Sequence, residues 1–369
     1  MSVVAREPTA RRAHTAPTRL PVQFAGLGAG LPAGRVTNAD LASRVDTSDA
    51  WIVERTGIRE RRVVAPGQAT SDLAVAACRE ALADAGLAPA DIDTLVVTTC
   101  TPDQPLPSTA AFVARALGVR CQAVDLVAAC AGWVYGLVNA ASMLASGVST
   151  TTLLVGAEVL SAWMDPSDRT TLPLFGDGAA AAVLGAGAGA TPADGPGGAP
   201  GLVAWDLGVD GEASDLIVVP AGGSRRPASA ATVGGGGHYM KMQGQEVFRR
   251  AVRAVEASCT KVLDAAGVRS RDVALFVPHQ ANARIVDAIV PRLGLAPEQT
   301  MMNIDRYGNT SAASIPLALC EAAAAGRVRD GDLVLVAGFG AGLTWGTALV
   351  RWGYRGRGPS SPQTLPAVP

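Results

Sequence analysis

Gln122-Ala-Val-Asp-Leu-Val-Ala-Ala-Cys130-Ala-Gly-Trp133 begins as an apolar run and ends in a cysteine that opens directly into a helical pattern. Residues 122–128 are too few and too β-branched for a helix of their own, whereas Val134, Leu137, Val138, Ala141, Met143, Leu144 and Ala145 recur at helical spacing. The pattern predicts a strand, a turn carrying Cys130, and a helix. At a helix N-terminus the unpaired amides and the macrodipole favour a thiolate, and the small residues Ala129, Ala131 and Gly132 let a substrate approach. A free cysteine more often simply packs in a core. The reading of Cys130 as an activated nucleophile therefore depends on what the rest of the chain supplies.

Working outward, residues 71–85 form an amphipathic helix stopped by Gly86, and residues 93–99 a buried strand. A proline-rich loop over 101–108, a helix over 109–117 and a strand over 150–158 complete the surroundings of the opening stretch. The plan is used twice. Residues 78–91 (C-R-E-A-L-A-D-A-G-L-A-P-A-D) and 259–272 (C-T-K-V-L-D-A-A-G-V-R-S-R-D) both run helix, glycine stop, acidic residue, then strand, at an offset of 181 residues. The same offset lays Thr152 on Leu333 and sets Cys130 opposite Ser311. Strands alternating with helices in two copies predict an α/β layered fold.

The chain has 369 residues, 49% of them hydrophobic, enough to fill a substantial core. A net charge of -1 gives no reason to expect nucleic acid or an anionic membrane as partner. No run of about 18 apolar residues occurs, and arginines and prolines interrupt the first 21 residues, so a cytoplasmic protein is expected. The expected divisions are a disordered leader (1–21), an N-terminal half (22–185), a Gly/Pro-rich loop (186–201), a C-terminal half (202–352) and a flexible tail (353–369). The six cysteines lie in apolar patterns without a C-x-x-C pair, so neither disulfides nor a metal is expected.

Of three histidines, His14 lies in the leader and His238 follows a four-glycine loop, whereas His279 ends a buried strand in Phe276-Val-Pro-His279-Gln-Ala-Asn282. Asn309 follows in Arg306-Tyr-Gly-Asn309-Thr-Ser-Ala-Ala-Ser-Ile-Pro316, a place that equally suits an N-cap. The glycine-rich turn Gly338-Phe-Gly340-Ala-Gly-Leu-Thr-Trp-Gly346 brings backbone amides close to a ligand, but no Lys-Ser/Thr follows it, which excludes a P-loop.

Together with Asp46-Thr-Ser-Asp-Ala-Trp51-Ile-Val-Glu-Arg55-Thr-Gly-Ile-Arg-Glu-Arg61 and Phe175-Gly-Asp177-Gly-Ala, these motifs resemble, in order from about Val22 to Trp352, the β-ketoacyl-acyl-carrier-protein synthase III family. The resemblance implies a thiolase fold of two βαβαβαββ halves in five α-β-α-β-α layers. It implies that Cys130 takes an acyl group from acyl-CoA, releasing CoA. Malonyl-acyl carrier protein then loses carbon dioxide, and its carbanion attacks the acyl group. His279 and Asn309 would donate to the thioester oxygen where enolate charge develops. The amides of Cys130 and of the turn at Gly340 and Ala341 would hold the tetrahedral oxyanion.

Related enzymes are separated by residue. Elongating synthases use two histidines, where Asn309 stands here, and degradative thiolases carry a cysteine in the C-terminal glycine turn, where Phe339 stands. The hydroxymethylglutaryl-CoA synthase type needs a glutamate near the nucleophile, and residues 95–110 offer only Asp103. By resemblance Trp51 and Arg169 sandwich the CoA adenine, Arg55 and Asn282 line the nucleotide and pantetheine path, and Gly244, Phe248 and Arg249 form the channel rim. Arg249, Arg253 and Arg284 offer a basic face to the acidic carrier protein. Leu106 stands at the family's variable gate, contributed across a homodimer to the partner's acyl pocket, and leaves room for a short to medium or branched starter. No cofactor beyond the CoA thioester substrate is implied. Fatty acid and polyketide initiation are both compatible. The alternatives are an acyltransferase of a specialised polyketide pathway passing the acyl group to a carrier protein or an oxygen or nitrogen nucleophile without decarboxylation, and a non-catalytic partner subunit.

Overall fold

Glycines at alternate positions of the first long strand set how closely the first layer packs. A Cβ on Gly26, Gly28 or Gly30 would lie 2.3 Å from a backbone atom of the helix at residues 70–85, so helix and strand are in direct backbone contact. The computed structural model describes residues 19–186, 198–358 and 363–365. Its N-terminal half runs β1 (Gln23–Pro32), α1 (Asp49–Thr56), α2 (Thr70–Ala85), β2 (Thr94–Thr98), α3 (Thr109–Leu117), β3 (Gln122–Leu126), α4 (Gly132–Ser146), β4 (Thr151–Val159) and β5 (Asp177–Gly185). The C-terminal half runs β6 (Gly201–Val209), α5 (Gly244–Ala266), β7 (Leu275–Pro278), α6 (Ala283–Ile289), α7 (Ser314–Ala324), β8 (Leu333–Gly340) and β9 (Thr344–Arg351), with a short β10 (Gln363–Leu365) beyond.

Omitting α1, which lies on the loop after β1, the first half reads βαβαβαββ. Its sheet has the order β10-β1-β5-β4-β2-β3, and the second sheet continues a two-residue strand Leu20–Pro21 with β6-β9-β8-β7. A parallel bridge between Phe276 and Thr300 stands beside β7 where β3 stands beside β2. Helices α4 and α7 touch strands of both sheets, α2 and α3 cover the outside of the first, and α5 covers the outside of the second. This is the thiolase fold in five layers, and the core between the sheets includes the fully buried Trp133.

The duplication departs in register from the sequence reading. Gly86 and Gly267, both left-handed helix stops, are 181 residues apart, but Ala129 and Ser311, the first residues of matching 3-10 turns with φ 46° and 47°, are 182 apart. One extra residue in the second half before that turn therefore sets Cys130 opposite Ala312, not Ser311, and Thr151 rather than Thr152 opposite Leu333.

Two expected boundaries also change. Leu20 and Pro21, assigned to the leader, pair antiparallel with Leu202 and Gly201, while residues 1–18 lie outside the described residues. The flexible tail is in part an ordered strap. Phe24 N donates to Gly353 O at 2.9 Å, Trp352 stacks on Phe24 with centroids 4.5 Å apart, and Gln363–Leu365 add a parallel strand to β1. Burial of aromatic surface and unpaired edge amides on β1 drive this docking. Within the expected loop 186–201, residues 187–197 lie outside the described residues and Gly201 already opens β6.

Candidate active site

The site is built where the ends of β3, β7 and β8 meet the turns before α4 and α7. After β3 the chain enters a 3-10 turn, Ala129–Ala131, before α4 begins at Gly132. Ala129 holds a positive φ of 46°, a conformation costing a non-glycine residue on the order of 1 kcal/mol. Its neighbours hold it there. Thr344 Oγ1 donates to Ala128 O at 3.0 Å, and β8 lies against the turn through Gly338 and Gly340, where a Cβ would fall 2.9 Å from Ala131 Cα and 2.5 Å from Cys130 N.

His279 leaves the end of β7 with its amide on Ala337 O at 2.7 Å. Its Nδ1 lies 2.6 Å from Ser314 Oγ, the first residue of α7, and Ser314 Oγ also reaches Ser311 O at 2.8 Å. The single Ser314 proton decides the tautomer. Given to Ser311 O, it leaves Ser314 to accept from Nδ1–H; given to Nδ1, it leaves the hydrogen on Nε2. The next residue, Gln280, is a buried brace, donating to Pro278 O and Met301 O and accepting from Asn303 N at 3.1 Å.

Asn309 is fixed by the Phe175 motif, since Asn309 N donates to Leu174 O at 2.8 Å and Gly176 N to Asn309 O at 3.0 Å. Its side-chain Oδ1 accepts from Ser311 N at 2.8 Å, which leaves the NH2 as the end with hydrogens to give. Cys130, His279, Asn309, Gly340 and Ala341 all line one cavity of about 1050 Å³.

Burial dominates the electrostatics. It pushes the Cys130 thiol up to about 12, and it pushes His279 down to about 3, so the imidazole is neutral. Loss of solvation thus opposes the thiolate that the turn's amides favour. A carboxylate does stand near the nucleophile, and it comes from β4 rather than from residues 95–110. Glu158, fully buried, accepts from Cys100 N and Thr101 N and acts on Cys130. Asp103 instead binds Ser71 N and Oγ.

The family models for 3-oxoacyl-[acyl-carrier-protein] synthase III match residues 124–195 and, for its C-terminal part, residues 263–352. The β-ketoacyl-[acyl-carrier-protein] synthase III of Symbiobacterium thermophilum is 51% identical over 334 residues, covering 90% of this chain and 98% of that protein. The chain belongs to the β-ketoacyl-[acyl-carrier-protein] synthase III family. Among solved structures, the Aquifex aeolicus synthase III superposes with a TM-score of 0.81 at 39% identity, covering 90% of this chain and all (100%) of that one. The priming β-ketosynthase of the R1128 polyketide pathway does so at 0.81 and 34% identity, covering 96% and 100%. Members of this synthase III family are acyltransferases.

Trp51, Arg55, Gly244, Phe248, Arg249, Asn282 and Arg284 also line this cavity. Asn282 also caps α6 through Arg284 N. Arg169, held by Asp46 at 2.9 Å, stacks with its guanidinium 4.9 Å from the Trp51 centroid, as Arg55 does. A base between Trp51 and Arg169 needs about 7 Å, two stacking distances, so the expected sandwich has no room between the two side chains as they stand. Arg253 is not in this cavity. It lines a separate groove of about 680 Å³ with Asp206 and Trp345. Leu106 is likewise outside the lining and 83% exposed.

Sequence reasoning missed Cys100, Glu158 and Ser314 and gave Ser311 no chemical role. Cys100 and Ser311 line the cavity with Cys130. The available signal was positional: Cys100 and Glu158 stand at the ends of neighbouring parallel strands, the side of such a sheet where sites form.

Proposed function

We propose that this protein catalyses the decarboxylating condensation of an acyl-CoA starter with malonyl-acyl carrier protein, giving 3-oxoacyl-carrier protein and carbon dioxide. The carrying observation is the convergence of Cys130, His279 and Asn309 on one cavity with the Gly340 strand against the Cys130 amide. Cys130 attacks the thioester carbon, and amides at Cys130 and the 340–341 turn receive the oxyanion. After CoA leaves, His279 and the Asn309 NH2 donate to the malonyl thioester oxygen, stabilising the enolate formed as carbon dioxide departs. Donation by His279 requires the hydrogen on Nε2, so Ser314 then turns its proton to Nδ1. A neutral imidazole suits this role, because it donates without carrying charge into an apolar cavity.

Trp51, Arg55, Asn282 and the rim at Gly244 and Phe248 receive the CoA arm. Arg249 and Arg284 meet the acidic carrier protein, and Arg253 extends that face beyond the cavity. A homodimer fits the exposed outer edge of β3, where Val124 and, just past the strand, Val127 are 43% and 72% exposed. The loop carrying Leu106 is tied to that strand, since Asp125 accepts from Thr109 N at 2.7 Å and Ala110 N at 2.8 Å. On this reading Leu106 reaches a second copy's acyl pocket from that loop and favours short to medium or branched starters. No helix among the described residues is long and apolar enough to cross a membrane, and a cytoplasmic location remains part of this reading.

The test is intact-mass analysis of Cys130 against a panel of acyl-CoAs, followed by malonyl-acyl carrier protein. Acylation followed by decarboxylation and a new carbon–carbon bond supports the reading. Acylation with transfer but no decarboxylation supports the acyltransferase alternative instead, and absence of acylation removes both.

A further inference from the structure

The cavity that holds Cys130 also reaches the far side of β8. Gly338 and Gly340 turn one face of that strand onto the Cys130 turn, where no side chain fits. Side chains alternate along a strand, so Ala337 and Phe339 stand on the opposite face, in the apolar layer shared with α5 and α6. Both nevertheless line the cavity, together with Val247, Ala251 and Val255 of α5 and Val286 and Ile289 of α6. The exposed lining residues Gly244, Arg249 and Arg284 mark where the cavity opens, and α5 begins there at Gly244. Val247, Ala251 and Val255 recur four residues apart, so one stripe of α5 leads inward from the opening, about 12 Å from Val247 to Val255. On α6 the N-cap Asn282, then Val286 and Ile289, follow the same course. At the inner end Val255, Val286, Ile289 and Ala337 are each at most 5% exposed.

This recess has no task in the condensation. Its side chains offer no donor, acceptor or titratable group, so a pantetheine arm laid in it would leave its amides unpaired. Water finds no partners there either. The opening has the opposite character: Arg249 pairs with Glu246, whereas Arg284 has no carboxylate partner among the described residues.

We propose that the recess between α5 and α6 binds a medium-chain fatty acid, with the aliphatic tail along the Val247–Val255 stripe and the carboxylate at Arg284. The tail gains what hydrocarbon gains on leaving water. The carboxylate stays at the solvated, cationic end, so no charge is buried. A bound acid lies behind β8 and does not touch Cys130, but its head stands in the opening through which an acyl-CoA reaches the nucleophile. It therefore excludes the acyl donor without reacting. Binding itself does not depend on the acyl-enzyme reading above, whereas the competition with acyl-CoA rests on it.

The experiment is calorimetric titration of the full chain with sodium decanoate, beside decanol as a probe of the head and butyrate as a probe of the tail. Decanoate is expected to bind at one site, and butyrate at least about tenfold more weakly, because it leaves the inner end empty. Val255→Phe and Ile289→Phe each fill that end from a different helix. Each should weaken decanoate about tenfold or more, the loss of two buried methylenes, while single-turnover acylation by butyryl-CoA keeps its rate. Near-UV circular dichroism identifies a variant that has lost its packing, and the other then decides. Arg284→Ala should weaken decanoate and leave decanol unchanged. Protein first butyrylated at Cys130 should still bind decanoate, because the starter lies on the other face of β8. Undiminished decanoate binding in both Phe variants, or its loss on butyrylation, would overturn the recess as the site, and equal losses of decanoate and decanol in Arg284→Ala would overturn the anionic head. Wild-type protein that takes no butyryl group would instead overturn the acyl-enzyme reading, and the titrations of the Phe variants would still decide the recess.

Discussion

A β-carbon on Gly340 would fall 2.5 Å from the Cys130 amide nitrogen and 3.0 Å from the Cys130 Cβ. The strand and the nucleophile turn are in contact with no room for a side chain. Gly340→Ala should therefore displace one or both amides and lower the rate of Cys130 acylation roughly 100-fold, the usual cost of losing an oxyanion donor. Single-turnover mass measurements check this, with circular dichroism confirming that the fold persists.

His279 and Asn309 stand on loops of the second half, while the nucleophile belongs to the first. Removing either donor should therefore separate the two half-reactions. His279→Ala and Asn309→Ala should lose roughly 100-fold or more in decarboxylation of malonyl-carrier protein, and about tenfold or less in acylation. Carbon dioxide release measured beside the acyl-enzyme mass shift distinguishes the two effects. An equal loss in both would remove the division of labour.

Ser314 fixes the imidazole through the 2.6 Å contact to Nδ1. Ser314→Ala should reduce decarboxylation about tenfold through loss of ring orientation and tautomer control, while thermal stability changes little. The readout is kcat for condensation against KM for malonyl-carrier protein, with the loss expected in kcat.

The buried imidazole also makes stability depend on pH. An unfolded histidine takes its proton near 6.5, whereas folded His279 does so only near about 3. Between these values the unfolded chain holds more protons, so stability falls as pH is lowered, by up to about 1.4 kcal/mol per unit from this group. Urea unfolding at pH values from 7 down to about 4 should give a shallower slope in His279→Asn than in the wild type. Identical slopes would contradict the buried, neutral state.

The C-terminal strap should contribute to stability without touching chemistry. Truncation after Trp352 removes the Gly353 acceptor for Phe24 N, the Tyr354 hydroxyl on Asp84 and the added strand. A loss of about 2–4 kcal/mol is expected from these hydrogen bonds and the uncovered aromatic surface. Calorimetry should show a lower melting temperature while the acylation rate stays unchanged.

Much of this architecture was legible in the chain because glycine marks it. Gly86, Gly118, Gly147 and Gly267 each close a helix in the left-handed conformation, and the helix read over 109–117 has those same ends. Cys130 and His279 were legible because each follows an apolar segment at the end of which a polar side chain has no packing role, and Asn309 because its Tyr-Gly-Asn-Thr-Ser motif resembles the family's. Glu158 was hidden by the same logic, a charged residue closing an apolar strand whose partners, Thr99, Cys100 and Thr101, lie 57 to 59 positions away at the end of a neighbouring strand. The one-residue slip between the halves was invisible because the helix–glycine–strand units that reveal the repeat all precede it. The strap was unreadable because three residues pairing with a strand edge leave no periodicity.

The strap has a consequence for how copies of this chain can meet. With residues 353–355 and β10 laid along β1, the larger sheet ends in a three-residue strand on one side and in β3 on the other. A pair formed edge to edge through β3 would leave only that short, strap-covered side for further sheet extension, which would end growth at two chains instead of propagating into a fibre.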